Sequence, residues 1–178
     1  MSPGQGAKHA LNFLKTFYRD LHSMMMACEQ QMAEQGWRPS KSSQIAELSN
    51  SLHRPKQWYL DSVFRSYLPS ASEGARDAVV LLVLLNIRYF EEAQVLAVRA
   101  RFGKNISHKR IWHRWTNGTR ILDHLTTGSP STELPEAVYR DGALPDASSA
   151  HGFLVPLDQL SDEEAVRTQL IQRVLALP

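Results

Sequence analysis

The segment Asp77–Phe102, DAVVLLVLLNIRYFEEAQVLAVRARF, is the one long apolar run in a chain of 178 residues, and its reading decides the fold. From Val95 the alternation is strict. Leu96, Val98, Ala100 and Phe102 fall on one side while Arg99 and Arg101 fall on the other, which is the period of a half-buried strand. Ala78 to Leu85 is uniformly apolar, as in a strand covered on both faces. Glu91 and Glu92 then sit at or near the turn of a hairpin. The competing interpretation is one long buried helix, since the segment has no Gly or Pro, carries Ala93, Ala97 and Ala100, and lacks Asn-Gly or Asp-Gly turn chemistry. β-Branched and aromatic residues favour the hairpin. The uninterrupted apolar run falls short of the ~20 residues a bilayer span needs, so no membrane is expected.

Working outward, the residues before this segment announce a long helix over 7–35, ended by Gly36 and Pro39. Leu11, Leu14, Tyr18, Leu21, Met25, Cys28 and Met32 form a heptad-like seam, broadened by Phe13, Phe17 and Met24. Such a helix either packs on the core or associates with a second copy of itself. Residues 36–55 read as a Ser-rich loop with a short edge strand near Gln44–Leu48. Trp58 to Leu68 reads as a strand that sets Trp58, Leu60, Phe64 and Leu68 against Tyr59, Val63, Arg65 and Tyr67. A helix with Pro55 near its start is the alternative there.

After the central segment, 104–128 is either a helix begun at Ser107 or a loop anchored by Trp112 and Trp115. Residues 129–150 are expected to be irregular and mobile. His151 to Leu157 has the pattern of a short edge strand ending at Pro156. The sequence Ser161-Asp162-Glu163-Glu164 matches a capping box with Ser161 as the cap, followed by an apolar face of Val166, Leu170, Val174 and Leu177. The fold expected is α+β, an antiparallel sheet of three to five strands flanked by a long N-terminal and a C-terminal helix. It is expected as a single domain over 1–178 with a flexible lead over 1–6.

Net charge is +2 and the composition is that of an ordinary globular protein. A single cysteine, Cys28, excludes an internal disulfide and suits a reducing compartment. No signal peptide is read in the first residues, so the expected location is the cytoplasm. The candidate chemistry is basic. Arg99, Arg101, Lys109, Arg110 and Arg114 lie in one stretch with Trp112 and Trp115, and no acid interrupts 99–120. Cations for phosphates and rings for stacking are what a nucleic-acid surface needs. The competing view is a solvated sheet face neutralised by the acidic C-terminal third.

His108 and His113 miss the spacing of paired ligands on a helix, and no metal or other cofactor is implied. Cys28 lies on the apolar seam and is expected to be a buried, inert thiol. The strands are read as holding no carboxylate apart from Glu91, Glu92 and Asp61. The leading function is a non-catalytic interaction or adaptor domain that self-associates or binds a protein partner. Nucleic-acid binding through 99–120 is the alternative, and an enzyme with an unrecognised site is the third.

Overall fold

The structure, a computed structural model, describes residues 3–40, 62–70, 76–85, 91–103, 125, 131–134 and 147–178. It opens with helix α1, Pro3–Glu34. The helix ends where Gly36 adopts φ 78°, the left-handed conformation that glycine takes without penalty, and where its N–H donates to the Ala33 carbonyl at 3.0 Å. The strands are β1 (Trp37–Pro39), β2 (Ser62–Pro69), β3 (Asp77–Leu84), β4 (Gln94–Phe102), β5 (Thr132–Glu133) and β6 (Ala147–Pro156). A second helix, α2, runs over 163–175.

These strands make a six-stranded sheet in the order β1-β2-β3-β4-β6-β5, every pairing antiparallel. The α+β class is therefore as expected, but the strand number exceeds the three to five anticipated. The excess lies in two very short edge strands, β1 and β5, too brief to show a period. β1 lies next to Gly36, ahead of the edge strand expected near Gln44, a segment outside the described residues. β5 falls within 129–150, read as irregular, and β6 begins there too, at Ala147. β6 is consequently longer than the short edge strand expected, and it is paired on both sides by β4 and β5.

The hairpin reading of the central segment is correct. β3 and β4 pair from Asp77↔Arg101 to Leu84↔Gln94, with a bend at Glu91 and Glu92. Both faces of the sheet are apolar. One carries Phe64, Leu68, Val80, Leu82, Leu96 and Val98, met by Leu125 and Leu134 among the described residues. The other carries Val63, Tyr67, Val79, Leu81, Val95 and Phe153 beneath α1 and α2. The split of β2 into Phe64/Leu68 and Val63/Tyr67 follows the strand period read in the sequence, whereas Trp58 and Tyr59 lie outside the described residues.

β4 is more covered than a half-buried strand, because Val95 and Ala97 are also buried, leaving the arginines alone to break its second face. On the opposite face, Gly152 in β6 leaves room for the Val98 side chain. A Cβ there would come within 3.1 Å of Val98 Cγ2 and 3.2 Å of the Ala97 carbonyl.

The apolar face of α2 is as expected, with Val166, Leu170, Val174 and Leu177 all buried. Its cap is not. Asp162, with extended φ −147° and ψ 172°, occupies the cap position and accepts from the Ala165 N–H at 2.8 Å. Ser161 Oγ lies 3.5 Å from the Asp162 carboxylate. A carboxylate one residue later serves better, since it adds negative charge to its hydrogen bond at the positive end of the helix. Residues 166–171 form a π-helical turn within α2. Among the described residues, no helix is long and apolar enough to cross a membrane.

Candidate functional site

Of the seven residues proposed as a nucleic-acid or partner surface, the described residues include Arg99 and Arg101. Lys109, Arg110, Trp112, Arg114 and Trp115 lie outside them. Arg99 turns to the helix-covered face. Its guanidinium donates to the carbonyls of Leu175 at 2.7 Å and Leu177 at 2.8 Å, reaches Asp77 Oδ2 at 3.4 Å, and lies over the Trp37 ring at 5.8 Å. Its donors thus satisfy carbonyls that helix geometry leaves open at the end of α2. Arg101 is half exposed, with Nε 3.7 Å from Asp77 Oδ1.

Asp77, the first residue of β3, was overlooked as a strand carboxylate, and it is the anion that both arginines share. Arg65, on the same helix-covered face as Arg99, pairs with Glu29 of α1. That face is covered by helices, so the view of it as a solvated surface is corrected.

Where α1 meets the sheet, Cys28 of the helix and Tyr67 of β2 are fully buried. Burial pushes the Cys28 thiol up to about 12, with the Glu29 charge adding to the shift and a backbone hydrogen bond opposing it. Burial also raises the Tyr67 hydroxyl, reinforced by Cys28 and Glu29 and opposed by Arg65. A thiol held protonated is a poor nucleophile, which agrees with the inert cysteine expected from the seam.

A concave site lies elsewhere among the described residues. A groove of about 940 Å³ opens between the middle of α1, the β3–β4 turn and the approach to α2. Its floor is apolar, from Leu21, Met24 and Ala27 of α1 and from Leu157, Leu160 and Val166. Its rim carries five carboxylates, Asp20, Glu92, Asp158, Asp162 and Glu163, all on exposed residues. No lysine, arginine or histidine is among the described residues that line it.

Local chemistry sets each wall. The 3₁₀ turn Leu157–Gln159 follows Pro156, and its Leu157 N–H returns to the Ala93 carbonyl at 2.9 Å, which fixes the turn against β4. Gln31 Nε2 donates to the Glu163 carbonyl at 2.8 Å and ties the start of α2 to α1. Asp162 and Glu163 were legible as an acidic helix start, but their convergence with Asp20 and Glu92 has no local signature.

A second surface adjoins the groove. Leu11, Phe13 and Leu14 are 58%, 69% and 42% exposed, although they continue the stripe that becomes core at Leu21, which is 7% exposed. The core-helix expectation therefore holds for the later part of the seam and fails for its beginning. No protein-family model, curated protein or solved structure matches this chain.

Proposed function

We propose that this protein is a non-catalytic interaction domain of the cytoplasm, whose recognition surface is the groove between α1 and the approach to α2. Its occupant is a helical protein segment with an apolar face and lysine or arginine flanks. One observation carries this reading: an apolar floor ringed by five carboxylates, with no cation among the described lining residues. An apolar ligand alone would leave that rim of like charges uncompensated. A cationic amphipathic helix gains both floor burial and charge complementarity. The lone cysteine, kept as a buried thiol, suits a reducing compartment. The nucleic-acid alternative is weakened at Arg99, whose donors are engaged with α2 and Asp77.

The test uses a fluorescent model helix of leucine and lysine, titrated with protein and followed by anisotropy. The host chain carries Leu11→Glu and Leu14→Glu, so that its own exposed apolar residues do not compete. Saturable binding at micromolar concentrations is expected, and Glu92→Lys with Asp158→Lys should weaken it at least tenfold. Absence of binding at ~100 μM, or indifference to the rim reversals, overturns the proposal.

A further inference from the structure

The occupant that the groove calls for is present in this chain. Lys8 to Arg19 has Leu11, Phe13, Leu14 and Phe17 interleaved with Lys8, Lys15 and Arg19, and no carboxylate precedes Asp20. It is already helical, and Leu11, Phe13 and Leu14 are exposed. Building on the groove reading above, we infer that the groove is filled by the N-terminal half of α1 from a second copy of the protein. The complex is an antiparallel, twofold-symmetric dimer.

Three features point to a second copy rather than an unrelated helix. Charge is complementary, with lysines on the projecting half and carboxylates on the groove rim. The surfaces are continuous, because Phe17 and Leu21 line the groove at the place where the exposed stripe leaves the core. Dimensions also agree. The projecting residues 4–16 span about 20 Å of helix, and the groove wall from Phe17 to Ala27 about 15 Å. A twofold axis near Phe17 would lay each projecting half along the other copy's groove, so both grooves fill in one step. The contact is self-complementary and closed, which stops association at two copies.

Sedimentation velocity tests the assignment on the full chain. The expected species is near twice the 20.1 kDa chain mass. Leu11→Glu with Leu14→Glu should weaken the dimer at least tenfold while leaving the circular dichroism spectrum unchanged. Charge reversal supplies the specific readout. Lys8→Glu with Lys15→Glu should be monomeric alone, as should the triple change Asp20→Lys, Glu92→Lys and Asp158→Lys, which leaves the rim net positive with Asp162 and Glu163 as its remaining carboxylates. Mixing those two variants should restore a heterodimer, because each projecting half then meets a rim of opposite sign in both grooves.

A wild-type dimer indifferent to the Leu11 and Leu14 changes, or reversed variants that fail to recover on mixing, would overturn the inference. A wild-type monomer would do so as well. Titrating a labelled peptide of residues 3–19 into the Leu11→Glu, Leu14→Glu chain then separates the outcomes. A monomeric wild type whose groove binds a Leu/Lys model helix but not this peptide sinks the second copy and keeps the groove. Failure of both peptides sinks the groove reading too.

Discussion

The two halves of α1 have the same sequence pattern and opposite fates. From Leu21 to Met32 the apolar stripe is core, with Cys28 and Met32 fully buried, while Leu11, Phe13 and Leu14 on the same stripe face outward. The difference is one of length. A 32-residue helix runs about 48 Å, whereas an eight-residue strand spans about 27 Å and six adjacent strands about 24 Å from first to last. The helix therefore outruns the sheet in any orientation, and its surplus carries apolar side chains with no sheet beneath them. Exposed apolar surface of that kind marks an interaction site more often than a packing accident.

Placing the same charge in each half gives the sharpest contrast. Leu21→Asp buries an unpaired carboxylate and should cost at least ~4 kcal/mol, unfolding the chain in a urea titration. Leu11→Asp should stay within ~0.5 kcal/mol for the monomer. Equal costs would erase the distinction between the halves.

The cover over the buried half depends next on Arg99. Arg99→Ala removes two charged hydrogen bonds from the end of α2 and should cost about 2–3 kcal/mol. A change in nucleic-acid affinity at unaltered stability would instead place Arg99 on a binding surface.

Alkaline pH probes the same interior. The folded Cys28 thiol titrates near 12 against 9.0 for the free group, so its contribution to stability is intact below pH 9 and lost progressively as pH rises toward 12. Stability should therefore fall with rising pH across that window, with Tyr67 adding to the loss above pH 10. Cys28→Ala should lower the neutral midpoint and flatten this alkaline slope. An unchanged slope would mean that the thiol is not sealed beneath α1.

The smallest effect separates two caps. Asp162→Ala should cost about 1 kcal/mol by thermal denaturation, and Ser161→Ala a few tenths at most. The reverse order would move the start of α2 back to Ser161.

Much of this architecture is legible residue by residue. Alternation from Leu96 to Phe102 assigned the faces of β4, and the unbroken run from Ala78 marked a strand covered on both sides. The stop at Gly36 was equally plain, because one residue's conformation is enough to end a helix. β1 and β5 were missed because three and two residues display no period. Of the candidate basic surface, Arg99 was given the right face of its strand and the wrong surroundings. A strand period states which side a residue takes, not what lies over that side.

The sequence by itself determined where the chain is helix or strand along these segments and which residues share a face, since those depend on neighbours within a turn or a pleat. Tertiary structure alone decided how far along α1 the stripe is buried and which carboxylates share a rim. Asp20 and Glu92 come together with Asp158, Asp162 and Glu163 because α1, the β3–β4 turn, the 3₁₀ segment and the start of α2 meet at one end of the central strands. Burial and electrostatic convergence depend on distances in space, and those follow from the relative lengths and crossing of whole elements rather than from any local pattern.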